Sequence, residues 1–236
     1  KIVGISFSFK ENSAYYIPLM CKEDLPIKSN LNEIIPILKS LLENPKIKFI
    51  GQNIKYDALV LKRNNININF IYFDTMIAES LISPEKNSYK LDNLSKDYLN
   101  YEMIPIENLI GKKNSQISMN EVPIDKVCFY ACEDADIVFQ IYKIQKDLLK
   151  NKRVDKLFYE VEMPLIKVLV DIEFNGVYVD KLVVNKLCES LQTKLNNLQN
   201  EIYKVSNKEF NINSPKQLSE VLFDDMKLKM FKKRST

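Results

Sequence analysis

The sequence predicts a mixed α/β domain over residues 1–150 followed by an all-helical segment over residues 151–236, and two observations carry that architecture. Up to about Leu149, short runs of strand character alternate with runs of helical period, the order expected of an α/β domain. After Asn151 only the helical period is left, which sets a boundary near residues 150–155. At 236 residues the chain holds one large domain, or one domain plus part of a second. It opens on Lys1 inside a stretch of strand character, so it is expected to be cut from a longer protein.

Taken in order, residues 1–9 alternate weakly and suit a strand, and Lys10-Glu11-Asn12 turns it back into Ala14-Tyr15-Tyr16-Ile17, a hairpin closed by Pro18. Asn30 or Asn32 starts a helix through Leu38, Leu41 and Leu42, with Pro36 tolerated only if that helix begins within a turn of it. Lys46 to Ile50 is a short strand, after which Asn53 is an N-cap for a helix carrying Leu59 and Leu61. Phe70 to Phe73 is a further strand, Asp74 caps Thr75 to Leu81, and Ser88 caps a short helix with Leu91, Leu94 and Tyr98. Asn100 to Asn120 is polar and irregular, with a mobile basic loop expected at Gly111 to Gln116, and a long helix runs from Asp125. A helix from Asp155 to Phe174 stops at Asn175-Gly176, Asp180 caps another that carries Leu187, Leu191, Leu195, Leu198 and Ile202, and Ser214-Pro215 begins a third.

The stretch with the most chemistry is Tyr130-Ala131-Cys132-Glu133-Asp134-Ala135-Asp136, three carboxylates set into an apolar helical run from Val127 to Leu149. Tyr130 and Asp134 are four apart and share a helix face. A carboxylate turned inward there is costly unless paired, and no Lys or Arg lies within a turn of Asp134. Two readings are open on the helix alone. Either all three acids lie on the solvated face, or Asp134 holds a divalent cation while Tyr130 orients a water beside it. A hard cation such as Mg²⁺ takes oxygen ligands, and two such ions roughly 3.5–4 Å apart stabilise both the attacking and the leaving oxygen of a phosphodiester. Asp57 falls one turn into a helix at a strand's exit, where α/β proteins bind ligands, which makes it a second candidate ligand; simple compensation of the helix dipole is the other reading.

Composition narrows the chemistry. There is no His, and Cys21, Cys128, Cys132 and Cys188 form no CxxC, which excludes zinc sites of the usual spacing and every Ser-His or Cys-His nucleophile. A hydrophobic content of 46% with 28% charged residues reads as globular, with no apolar run approaching a membrane span. Residues 1–150 carry 19 Lys plus Arg against 19 Asp plus Glu, so the net charge of +3 sits entirely in residues 151–236. The basic tip Lys227, Lys229, Lys232, Lys233 and Arg234 suits contact with phosphate and equally suits a solvated tail.

Gly51-Gln52-Asn53-Ile54-Lys55-Tyr56-Asp57, then Phe73-Asp74-Thr75-Met76, then Tyr130 to Asp136, in that order, resemble the second and third exonuclease motifs of family A DNA polymerases. The resemblance continues through Glu162-Met163-Pro164-Leu165, Asn175-Gly176-Val177 and Phe210-Asn211 to Ser214-Pro215-Lys216-Gln217-Leu218, which resemble the start of the polymerase thumb. A lone NxxxD or YxxxD is a weak signal, whereas motifs in matching order from Gly51 to Leu218 are specific. The resemblance implies an RNase H-like exonuclease domain, lacking its first strand, joined to the N-terminal part of a thumb. It implies removal of nucleotides from a DNA 3′ end by the two-metal route with Mg²⁺ or Mn²⁺, Tyr standing for His in the third motif. Asp57 and Asp134 are then metal ligands, direct or through water, and Tyr130 positions the attacking water. Glu133 and Asp136 are expected to face solvent or stand behind the ligands. Gln52 and Asn53 contact the frayed 3′ strand, with Lys55 and Tyr56 beside them. Met119 stands where family members often place an aromatic residue against the terminal bases, and packs there less specifically.

The implied partners are a single-stranded 3′ end at the exonuclease site, duplex DNA at the thumb and the rest of the polymerase chain, with no membrane. The family's first motif, Asp-x-Glu, belongs ahead of Lys1, so this piece alone is expected to bind divalent metal weakly and hydrolyse little or nothing. The Lys, Asn and Ile bias points to an AT-rich genome. Within the family the chain looks most like the replicative enzymes of the apicomplexan plastid (apicoplast), a resemblance that implies a plastid location. Two other readings are a free-standing 3′-5′ exoribonuclease, against which the thumb-like third counts, and an inert exonuclease fold serving as a DNA-binding scaffold, against which Asp57, Tyr130 and Asp134 count.

Overall fold

The computed structural model describes residues 2–20, 31–112 and 115–229, in two units, 1–176 and 177–236. Cys21, Asn30, Lys232 to Arg234 and part of the Gly111–Gln116 loop lie outside the described residues.

In the first unit, β1 (Gly4–Lys10) and β2 (Ser13–Pro18) pair antiparallel, Ile5 opposite Ile17 and Phe7 opposite Tyr15. The turn closes through Asn12, whose left-handed φ of 57° is one that Asn tolerates. Helix α1 (Leu31–Leu42) packs Leu38 and Leu42 with Leu61 and Ile66 in a small core beside β1. Pro36 sits inside this helix, beyond its first turn, so the expectation of a late start is corrected. A proline there removes one backbone donor and is retained because the flanking apolar face is buried.

Strand β3 (Phe49–Gly51), helix α2 (Ile54–Lys62) and strand β4 (Ile71–Asp74) form a βαβ unit with the strands parallel. Helix α3 (Thr75–Ile82) leaves β4 directly. Helix α4 (Leu91–Leu99) follows, then a short α5 (Glu107–Ile110), and α6 (Ile124–Asn151) passes across both strand pairs, touching β1, β2 and β3. Among the described residues the strands form two separate two-stranded sheets, where one mixed sheet was expected. The hydrophobic period identifies strands but not their partners, because pairing is set by contacts distant in sequence.

The main core gathers Ile54, Ala58, Phe73, Ala78, Ile82, Leu149, Phe158, Met163, Ile166 and Val170. Its last members come from a helical run in three pieces, α7 (Asp155–Leu157), a π turn over Phe158–Glu162 and α8 (Met163–Asn175), the chain then turning at Gly176 with φ 70°. A buried polar knot fixes α3, α4 and α6 together. Glu79, fully buried, accepts from Lys86 Nζ at 2.7 Å, Tyr98 Oη at 2.5 Å and Gln145 Nε2 at 2.9 Å. Burial alone raises a carboxyl, but here these three donors outweigh it and hold Glu79 below the usual range.

The second unit starts with Val177 to Val179 extended and α9 (Lys181–Ser206), capped by Asp180, which accepts from the N–H groups of Leu182 and Val183. Ser214 accepts from Gln217 N–H at the start of α10 (Pro215–Ser219), with Pro215 in the first turn as expected.

Candidate active site

The parallel register of β3 and β4 sets Gly51 beside Asp74, so α2 and α3 both start from one sheet end. Asp74 is fully buried between them. One of its oxygens, Oδ1, accepts from the N–H groups of Met76 and Ile77 at 2.9 and 3.1 Å, capping α3. The other, Oδ2, accepts from Ile54 N–H, the first residue of α2, at 2.7 Å. One carboxylate therefore satisfies donors that two helix starts would otherwise leave bare. Burial raises its pKa, against the pull of these N–H groups and that of Asn53.

Asn53 is not the side-chain cap the sequence suggests. Its side chain makes no capping bond, and its backbone is left-handed at φ 53°, ψ 43°. That conformation swings the chain from β3 into α2, and Asp74 supplies the missing acceptor. Gly51 is required by the same tight turn, since a Cβ there meets the Ile54 side chain at 2.8 Å.

Asp57 lies in the first turn of α2. Its carboxyl is pushed up to about 6, first by burial and second by the Asp74 charge. The residue still presents open surface, so water reaches one side and moderates that rise. Of its neighbours named as DNA contacts, Tyr56 is 65% exposed, Asn53 is exposed, and Lys55 is paired with Glu173 of α8. The Gln52 side chain is engaged within the protein, its Nε2 donating to Tyr89 O at 2.8 Å and its Oε1 accepting from Thr75 Oγ1. Met119, half-buried, begins a short 3₁₀ turn, Met119–Glu121.

On α6, Tyr130 stands beside Asp134 on one helix face, as the four-residue spacing predicts. Asp134 is pushed up to about 7, by burial first and then by Glu133, with Asp92 adding to the effect and the nearby Tyr130 hydroxyl opposing it. Burial and the Asp134 charge likewise raise the Tyr130 phenol, which stays a neutral donor.

Of the two expectations for Glu133, facing solvent or standing behind the ligands, burial excludes the first. The residue is 9% exposed and accepts from Tyr101 Oη at 2.7 Å and Ile104 N–H at 3.0 Å, fastening the 101–104 segment to α6. Asp136 accepts from Asn12 N–H at 2.8 Å and Gln140 Nε2 at 2.7 Å, and so holds the hairpin tip.

The structure thus groups Asp57 with Asp74, and Asp134 with Tyr130, Glu133 and Asp92. Among the described residues no three His, Cys, Asp or Glu side chains stand close enough together to hold a metal ion. The donor chemistry of Asp57 and Asp134 nevertheless fits a hard cation, because Mg²⁺ is commonly held by one or two carboxylates plus substrate phosphates. Two acids near the site were not assigned a part in it from sequence. Asp74 reads as an ordinary N-cap, and its position just after a strand is the one available signal; Asp92 carries none beyond a helix's first turn.

A family model described as "3′-5′ exonuclease" matches residues 1–150, and one described as "DNA polymerase family A" matches residues 181–236. Among curated proteins, the DNA polymerase I of Borreliella burgdorferi is 41% identical over 240 residues, spanning 100% of this chain and 26% of that protein. The DNA polymerase I of Pseudomonas aeruginosa is 31% identical over the same length and coverage. The chain therefore spans about a quarter of the length of these relatives. Among solved structures, the POL domain of Pol1 from M. smegmatis, in complex with DNA primer-template and dNTP, superposes with a TM-score of 0.65 at 23% identity. That match covers 95% of this chain and 34% of the other, and it establishes likeness of fold.

Proposed function

Because the chain belongs to the family A DNA polymerases, with a 3′-5′ exonuclease region over residues 1–150, we propose that it serves the proofreading hydrolysis of the 3′-terminal phosphodiester in DNA. The observation that carries the reading is the Tyr130–Asp134 pair, a neutral phenol beside a half-buried carboxyl that has no cationic partner within a helical turn. Asp57 and Asp134 would hold divalent metal, whose part is to activate a water and to steady charge on the oxygens of the phosphodiester. Tyr130, beside Asp134 on one face of α6, orients that water through its hydroxyl. Tyr56 and Asn53, open at the start of α2, receive the frayed strand, and Lys55 adds a positive charge there once released from Glu173. Gln52 acts differently from a free contact, since its amide braces the turn and reaches DNA only by giving up a bond.

The supporting frame is an RNase H-like domain, with the second unit forming part of a thumb that meets duplex DNA. The composition fits an AT-rich source, an apicoplast among them, while the curated relatives named above are bacterial.

The test is a 3′-labelled single-stranded DNA and its RNA counterpart, given with Mn²⁺ to a protein extended to the length of the relatives. Metal-dependent release of mononucleotides from DNA in preference to RNA is expected. Preference for RNA would favour the exoribonuclease reading, and DNA binding without cleavage the inert scaffold.

A further inference from the structure

We infer that Asp74 is a positioning residue for the exonuclease site, fixing Asp57 by tying the first turn of α2 to the end of β4. The inference rests on the exonuclease reading and adds to it a residue that touches neither metal nor DNA. Asp57 is the fourth residue of α2, so its place follows from where that helix begins. The helix start has little of its own to hold it. The Asn53 side chain makes no cap bond, the backbone there is left-handed, and Gly51 only permits the turn.

What fixes it comes from β4 and α3. The Asp74 oxygen facing α2 holds Ile54 N–H at 2.7 Å, while the other is held by Met76 and Ile77. The carboxylate cannot rotate without baring one helix start or the other. From the opposite side, Thr75 Oγ1 bonds Gln52, whose own Nε2 bonds Tyr89 O, so the turn before α2 is held at both ends. Asp74 is not itself placed as a metal ligand. It is wholly shielded from solvent, and N–H donors occupy both its oxygens.

Asp74→Asn separates the two duties. Asn caps a helix about as well as Asp, but whichever way it is turned, an NH₂ replaces one oxygen and faces a backbone N–H. In the extended protein without DNA, the Kd for Mn²⁺ read by calorimetric titration should rise about ten- to a hundredfold, the range seen when groups behind a metal ligand are removed, and the Mn²⁺ concentration giving half-maximal hydrolysis of single-stranded DNA should rise with it. The KM for DNA should stay within about twofold, since no DNA contact is altered. If Asp74→Asn yields no folded protein, Thr75→Val removes the bond to Gln52 and should shift the Mn²⁺ dependence in the same direction by a smaller factor. Unchanged Mn²⁺ dependence in the folded Asp74→Asn protein, or failing that in Thr75→Val, overturns the inference, provided Asp57→Asn abolishes hydrolysis. Should Asp57→Asn itself hydrolyse DNA normally, the exonuclease reading falls instead.

Discussion

Helices α6 and α9 are nearly the same length, 28 and 26 residues, and both carry regularly spaced apolar residues. They differ in what surrounds them. Helix α6 buries Val127, Ile137, Val138, Ile141 and Leu149, and with them Glu133 and Gln145. In α9 no residue is buried, and Leu187 and Leu195 are 57% and 59% exposed. A hydrophobic period says which face of a helix wants a partner; it does not say that the partner is in the same chain. In α6 the partners are present, so polar groups can be drawn inside and put to use. The stripe on α9 is left open among the described residues.

The comparison breaks first if core truncation and stripe truncation cost alike. Phe73→Ala, at the centre of the main core, should destabilise the first unit by about 3–5 kcal/mol in urea unfolding. An effect below about 1 kcal/mol would mean that the core around β4 is not packed as described.

A second, smaller effect concerns the acid buried on α6. Asp134 has its pKa raised from 3.8 to about 7 in the folded chain. Its contribution to stability is therefore full below pH 3.8 and lost as pH rises through 7, where the folded state must carry the charge. In metal-free 236-residue chain, Asp134→Asn should change little at pH 4 and stabilise by about 1–2 kcal/mol at pH 8, after allowance for the solvent that reaches the half-buried group. Equal stability of the two proteins at pH 8 would place Asp134 in open water. The smallest effect is on α9, where Leu195→Ala should alter urea unfolding by less than about 0.5 kcal/mol. A larger loss would show that the stripe already has a partner.

Much of this was legible in the sequence because it is local. The strand exits at Gly51 and Asp74, the caps at Asp180 and Ser214, and the shared face of Tyr130 and Asp134 all follow from spacings of a few residues. What escaped is set by contacts distant in sequence. Glu133 looks like a surface acid until the 101–104 segment folds over it, and no helical period encodes that segment's path. Asp74 advertises one helix cap but not the second, since Ile54 lies 20 residues earlier. Asn53 has the right residue type for a cap, yet the turn forced on it by Gly51 and Ile54 takes it left-handed. The β1–β2 hairpin was legible from its turn, whereas nothing in the period relates that pair to β3–β4, and the two stay separate sheets among the described residues.

The central claim, which is the proposed function, is that Asp134, with Tyr130 beside it on α6, supports metal-dependent cleavage at a DNA 3′ end. The most direct measurement is the single-turnover rate of 3′-nucleotide release from single-stranded DNA by the extended protein in Mn²⁺, with and without Asp134→Asn. The account predicts a loss of about a thousandfold, the scale of several kcal/mol of lost stabilisation at the reacting phosphate. An Asp134→Asn protein that cleaves within about twofold of the parent would contradict it.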